Sequence, residues 1–491
     1  MERNKKILIG AVVIALILIL AVGFALAYAG RDKTQIKDRT LHLSVNGCGM
    51  EVPLKKDGIT VDVPSLMIGS NNAFKLLGYI NGKITVDGKT LKVGKSVKVA
   101  VTALTPENKL KVVIANDKDT RTVYLRTYSS QLPSLRVTGE SAANGEYLIT
   151  EKDKPVIYAL NTNGDLIWYQ ALDADKAKVR FTDFRRHVAT NGDIYYSYHR
   201  TDPDADNGGI ADYQPGMRIV MDENFNVITE DVGLGYYNPE KTVNKEEAGR
   251  SVDGHGFELL NKNDTLTLSY QTERVSNIPA NLNPSKNATV VAAVLQEVHG
   301  NKVVWEWRST TFDKLYALSR RGNAYGSDTP QDYLHVNAMI LDPADNNPIL
   351  SLGNADAVIK VDRETGKILW VLGGKADAFG LKAHQQFANV TDIALATDRT
   401  LVVTQANKVT TFRINEAGKK VTYLASYTTA DAVSAAKLSR KQNNLMIAGN
   451  GTNKIIETFY DTRSNGLIVR MSGHQTLSSV RYYASDKADD D

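Results

Sequence analysis

From Thr40 to Val137 apolar and polar side chains alternate at period two, interrupted by Asn-Gly and Asp-Gly pairs, as in Lys83-Ile-Thr-Val-Asp-Gly-Lys-Thr-Leu-Lys-Val93. Alternation at period two puts successive side chains on opposite faces of a strand, and the Gly pairs supply the positive φ of tight hairpins. The segment 40–137 therefore reads as a small β-sandwich, with one short helix expected near Asn72 to Leu77. Gly94-Lys95-Ser96 imitates the end of a phosphate-binding loop, but Gly88 stands one residue too far away and no helix pattern follows, so a strand and turn are expected instead.

From Glu140 onward the pattern changes from simple alternation to a repeat. A turn followed by an extended run recurs six times, centred on Gly164, Asn226, Asn301, Gly366, Gly418 and Gly466. Gly and Asn tolerate the backbone that such turns need. All four tryptophans, Trp168, Trp305, Trp307 and Trp370, fall in the strand just after one of these turns. Upstream of each turn lies a second β-rich run: 145–150, 192–197, 264–269, 348–352, 399–403 and 444–448. Paired runs of this kind, with no helices between strands, describe four-stranded units, and six of them predict a six-bladed β-propeller over residues 140–485. Thr476 to Ala484 reads as the strand that closes the ring, ahead of an acidic tail at 486–491.

The start of the chain follows neither pattern. Met1 to Lys6 is basic, and Ile7 to Gly30 is an uncharged apolar run. That length suits a membrane-spanning signal anchor better than a signal peptide core, although Ala25-Leu26-Ala27 and Ala27-Tyr28-Ala29 leave cleavage as the alternative. Either way the large remainder is expected outside the cytoplasm, since Arg3, Lys5 and Lys6 favour an inside short end. The 491 residues carry 59 Lys+Arg against 55 Asp+Glu, a net charge of +4. No basic stripe suggests nucleic acid as a partner. Cys48 is the single cysteine, so the chain has neither an internal disulfide nor a cysteine zinc site. Asp202-Pro-Asp-Ala-Asp-Asn-Gly208 has alternating carboxylates but lacks the glycine and the closing Glu of a calcium loop.

In a propeller the innermost strands line a central channel, so chemistry is sought where those strands begin. Two histidines qualify: His255, in Val252-Asp-Gly-His-Gly-Phe257, and His335, in Asp332-Tyr-Leu-His-Val-Asn337. Around them the chain resembles the bacterial aryl-sulfate sulfotransferases, a family with a small β-sandwich ahead of a six-bladed propeller. The stretch from Asp332 to Asp345, continuing through Ala357 to Gly374, is similar to the family signature that runs from DWxHxNS to KIDxxTGKIxWxLGG. His255 with Leu260-Asn-Lys-Asn-Asp264 is similar to the weaker HDxxxLPNGN motif, and Gln131-Leu-Pro-Ser-Leu135 also fits.

The resemblance implies transfer of a sulfuryl group from a phenolic sulfate ester to a phenol through a sulfated histidine, with no nucleotide donor, metal or organic cofactor. It implies that His255 and His335 hold the sulfate, with Asn337 and Asn354 as substrate contacts. Two family positions do not carry over: the arginine falls on Gly353 and the nucleophilic histidine near Val390. His384, six residues before Val390, is the nearest histidine and the candidate replacement nucleophile, while Arg185, Arg186 or Lys382 could supply charge. His187 and His199 read as structural. The alternative is a catalytically degenerate propeller that binds a small anion, a glycan or a surface partner.

Overall fold

The computed structural model describes residues 35–484 apart from 47, 64–65, 67–69, 102–108, 127–131, 142–143, 153, 163, 165, 173–177, 190, 206, 208, 232–251, 287, 301, 328, 397, 430–431, 440–443, 450–453, 460–464 and 473–476. The apolar run Ile7 to Gly30 and the acidic tail lie outside these residues. Among the described residues no helix is long and apolar enough to cross a membrane. The chain divides into two compact units, Met1–Tyr128 and Ser129–Asp491.

The first unit is a β-sandwich. One sheet orders Cys48–Pro53, Thr40–Val45, Ser70–Leu76 and Ser96–Val101; the other orders Ile59–Asp62, Thr120–Arg126, Lys109–Ala115, Lys83–Val86 and Lys89–Leu91. Leu41, Leu43 and Phe74 from the first sheet meet Ile84, Val112 and Val123 from the second in one apolar core. The helix expected at Asn72 to Leu77 is instead most of the strand Ser70–Leu76. Asn72, Phe74 and Leu76 are buried while Asn71 and Lys75 are exposed, a period of two. Asn72 can point inward because its side-chain oxygen accepts a 2.7 Å hydrogen bond from Asn46 Nδ2.

The second unit is the six-bladed propeller. Six innermost strands, Leu477–Ala484, Phe181–Val188, Phe257–Asn261, Val336–Leu341, Asp392–Leu395 and Val433–Ser439, contact one another in that cyclic order. Every β-rich run singled out in the sequence lies on the second strand of a blade, and the repeated turns at Gly164, Asn226, Gly366 and Gly418 join the third strand to the fourth, whereas Gly466 falls on the fourth strand of the last blade and Asn301 lies outside the described residues. Middle strands are buried on both faces, as in Pro348–Leu352 and Ala357–Val361, because each blade is packed between two others. Their sequences are accordingly near-continuous apolar runs.

Two clasps close the ring. Leu477–Ala484 pairs with Gly145–Glu151 and so becomes the innermost strand of the first blade. Ser134–Gly139, expected to finish the sandwich, instead pairs antiparallel with Asn465–Ser472 and adds a fifth, outermost strand to the last blade. Since all innermost strands run the same way along the axis, their first residues gather at one mouth and their last residues at the other.

Candidate active site

His255 and His335 stand at the first of these mouths, immediately before their innermost strands. Their rings contact each other with centroids 6.2 Å apart. Each is fixed by a nearby aspartate in the same way. Asp253 Oδ2 accepts from the His255 backbone N–H at 2.8 Å and contacts its Nδ1 at 2.5 Å. Asp332 accepts the His335 N–H at 3.0 Å on Oδ1 and contacts its Nδ1 at 2.6 Å through Oδ2. A carboxylate on Nδ1 fixes the tautomer and turns Nε2 outward. Neither Nε2 has a hydrogen-bond partner among the described residues.

His335 has φ of 52°, a left-handed backbone that a bulky side chain adopts only at a cost of about 1–3 kcal/mol. The doubly bonded Asp332 holds it there. Its ring also stacks on Tyr270 at 5.9 Å and 11°, and the Tyr270 hydroxyl is tied to the Val336 carbonyl. Burial opposes charge on His255, but Asp253 outweighs it and raises the imidazole pKa above its ordinary value. Asp253 itself is buried, which favours protonation, yet His255 holds its carboxyl below the usual range.

Beside His255 a cavity of about 340 Å³ runs into the channel, with His255, Asn337, Thr391 and Ser479 on its wall. Its floor is a buried charge layer. Asp183 receives Arg185 at 2.6 Å, Arg218 at 3.0 Å and Arg481 at 3.1 Å, and Arg481 also reaches Asp392 at 3.3 Å. Arg185 additionally donates to Glu258 and to the Met339 carbonyl, so one guanidinium ties together innermost strands of three blades. Burial alone would raise the Asp183 pKa, but the three guanidinium groups hold it far below the usual carboxylate range.

The other sequence candidates fall into distinct places. Asn337 lines the cavity and donates from Nδ2 to the Val390 carbonyl at 2.8 Å. Val390 is fully buried. At Gly353 an added Cβ would lie 2.4 Å from Asn337 Nδ2, so the amide occupies the space that a longer side chain would need. Asn354 donates to the Asp332 carbonyl at 2.8 Å and accepts from Arg321 Nε at 3.2 Å. It thus braces the loop that carries His335.

His384 does not join the pair. It is exposed on a short 3-10 turn, Ala383–Gln385, and its ring meets Tyr423 on the outermost strand of the fifth blade. The seven-residue path from His384 to Val390 leads from the blade's rim to its axis, so closeness in sequence did not mean closeness in space. Lys382, on the same turn, is also exposed. Arg185 and Arg186 are buried within the channel wall, Arg186 donating to the Ala484 carbonyl at 2.7 Å. Asp253, Asp332, Tyr270 and the Asp183 layer were not anticipated. The Asp-Gly-His and Asp-Tyr-Leu-His spacings carried the signal for the first two.

A family model described as Arylsulfotransferase (ASST) matches residues 133–443, well over half of the chain. The chain belongs to the arylsulfotransferase family. No curated protein matches it. Among solved structures it is similar to a Bacteroides caccae protein of unknown function, at 9% identity and TM-score 0.39 over 70% of this chain and 100% of that one. It is likewise similar to the periplasmic gluconolactonase of Pseudomonas aeruginosa, at 10% identity and TM-score 0.38 over 70% and 100%. The β-propeller domain of Myceliophteria thermophila Cps50 matches at 11% identity and TM-score 0.36 over 71% and 88%.

The remaining channel histidines are buried supports. His187 Nε2 lies 2.8 Å from Ser197 Oγ, and its Nδ1 accepts from the Leu259 N–H. His199 bridges Thr182 and the Val252 carbonyl. Burial lowers both pKa values, that of His199 to about 3. The folded state therefore keeps them neutral while the unfolded chain takes up protons near pH 6.5. Their contribution to stability is complete above pH 6.5 and is lost as pH falls; for His199 the loss is about 2 kcal/mol between pH 6.5 and 5. The His255 contribution has the opposite sign, being complete below 6.5 and lost as pH rises through its raised value. Thermal unfolding followed by circular dichroism should show a falling midpoint from pH 6.5 to 5, and His199→Gln should flatten that fall.

Proposed function

We propose that the histidine mouth transfers the sulfuryl group of aryl sulfate esters to phenols, with His335 as the nucleophile. The observation that carries this reading is the facing pair of imidazoles, each held on Nδ1 by an aspartate so that both Nε2 atoms are left for a substrate. With Nδ1–H donated to Asp332, neutral His335 presents a lone pair on Nε2. That pair forms the N–S bond as the S–O bond to the aryl group breaks. The leaving phenolate takes the proton of the His255 imidazolium, the form that Asp253 favours by raising its pKa. An incoming phenol then attacks sulfur, the N–S bond breaks, and neutral His255 recovers the phenol's proton. Asn337 and the cavity below support the substrate.

Gly353 and Val390 favour a second reading in which the same mouth binds aryl sulfates without turning them over. One experiment separates the two. The purified protein is incubated with 4-nitrophenyl sulfate, with and without a phenol acceptor. Transfer predicts acceptor-dependent release of nitrophenol and, with donor alone, one added sulfuryl group mapped to His335. Saturable binding with neither turnover nor adduct supports the second reading.

A further inference from the structure

The connection from the outermost strand of the third blade, Lys302–Arg308, to the innermost strand of the fourth, Val336–Leu341, is braced from within. The Tyr316 and Tyr333 rings pack with centroids 4.7 Å apart, the Tyr325 hydroxyl donates to the Tyr316 carbonyl at 2.8 Å, and the Tyr333 hydroxyl donates to Ser309 Oγ at 2.8 Å. Its tip is clamped to the fourth blade. The Arg320 N–H donates to the Asn354 carbonyl at 2.8 Å, Arg320 Nε pairs with Asp356 at 2.9 Å, and Lys375 Nζ donates to the Ser319 carbonyl. Gly322, at a φ of 66°, lets the chain turn directly after Arg321.

Arg321 is thereby set at the entrance of two innermost strands. Its Nε donates to Asn354 Oδ1 at 3.2 Å, while Nη2 lies 3.5 Å from the Gly353 carbonyl and donates to Asn389 Oδ1. Gly353 in turn gives its N–H to the His335 carbonyl at 2.8 Å, and Asn389 directly precedes Val390, whose carbonyl accepts from Asn337. The guanidinium is thus two contacts from His335. All three of its acceptors are neutral, its side chain is exposed, and Nη1 has no hydrogen-bond partner among the described residues. The other arginines at this end are spent: Arg185, Arg218 and Arg481 on carboxylates of the charge layer, and Arg320 on Asp356.

We propose that Arg321 anchors the donor at the histidine mouth, donating from Nη1 to an oxygen of the aryl ester's sulfate group; this assignment rests on the sulfuryl-transfer reading above. A neutral His335 beside the Asp332 carboxylate would repel an anionic ester, and a guanidinium with no carboxylate of its own offsets that repulsion. Arginine suits the task because its fixed fork matches tetrahedral oxyanions. The clamped tip holds the fork in place before substrate arrives, so little ordering is required on binding. The sulfate is anionic in ester and transition state alike, so the anchor acts on binding more than on the chemical step.

With 4-nitrophenyl sulfate, Arg321→Gln should raise the donor KM about tenfold, as expected for loss of a charge-assisted hydrogen bond, with kcat changed less than about threefold. The KM of the phenol acceptor and the thermal midpoint should stay at wild-type values, and Arg321→Lys should recover part of the donor KM because the charge remains. 2-Naphthalenesulfonate reads the anchor without turnover, since its carbon–sulfur bond lets it bind but not donate. Wild type should bind it more weakly as NaCl rises, and Arg321→Gln should bind it about tenfold more weakly with a shallower salt dependence. A wild type that binds no sulfonate, or an Arg321→Gln variant that binds it as tightly, overturns the proposal. Donor and acceptor KM rising together with a lowered midpoint also overturns it, because Arg321 would then brace the loop and not the ester. Sulfonate binding that depends on Arg321 without any turnover of 4-nitrophenyl sulfate keeps the anchor and refutes transfer alone.

Discussion

His335→Ala should remove sulfuryl transfer from 4-nitrophenyl sulfate by a factor of at least about 1,000, because loss of a nucleophile costs more than the 100- to 1,000-fold typical of a lost charge-stabilising donor. The expected discrimination lies in the companions. His255→Ala should slow poor leaving groups far more than 4-nitrophenolate, since an aryl oxide that is already stable needs little proton assistance. His384→Ala should leave the rate within twofold, because that ring packs on Tyr423 at the rim of the fifth blade. Asp332→Asn should be intermediate, since the loop loses its hold on the His335 tautomer and on a left-handed backbone. Wild-type turnover that survives in His335→Ala and disappears in His384→Ala would refute the assignment of the nucleophile.

The second large effect is on stability. Asp183→Asn should lower the thermal midpoint by roughly 5 °C, read by circular dichroism or scanning calorimetry. Asp183 is the shared partner of Arg185, Arg218 and Arg481. Arg218 has no exposed surface, and burial is the main reason that its pKa falls to about 10. Removing one partner of a buried ion pair costs about 3–5 kcal/mol because the other charge stays behind; here Arg218 loses its carboxylate, while Arg185 keeps Glu258 and Arg481 keeps Asp392. An apolar replacement of the whole layer could be tolerated; replacement of Asp183 alone should not be. A midpoint equal to that of the wild type would show that the layer does not depend on this carboxylate.

How far the sequence carried these conclusions differs element by element. The blades were legible because a turn carrying Gly or Asn and an apolar strand recur together, and both leave local marks; Gly164 and Gly366 do take the positive φ that glycine permits. His255 and His335 were legible because an innermost strand announces its own start. Asn72 to Leu77 was misread as helix because an inward-pointing Asn disguises a period of two, and only its pairing with Asn46 explains the burial. Ser134–Gly139 looked like the end of one domain because nothing in six residues says which distant strand they will meet. The charge layer was invisible for the same reason: Arg481 and Asp183 stand 298 positions apart. His384 illustrates the converse, a residue near the right position in the chain and at the wrong radius in the ring.

The clasp formed by Leu477–Ala484 has a consequence for the order in which the molecule becomes competent. That strand brings Ser479 to the histidine-side cavity, Arg481 to the charge layer and Tyr483 to the wall of a second channel cavity, lined also by Arg185 and Glu258. During synthesis from the N-terminus, five blades and both histidines can exist before any of these three side chains has emerged. Until the strand arrives, Asp183 lacks one of its cations and the channel lacks part of its wall. The channel is thereby left incomplete until this strand is in place. A chain truncated before Leu477 should therefore lose the ring closure, Ser479 and Arg481 together.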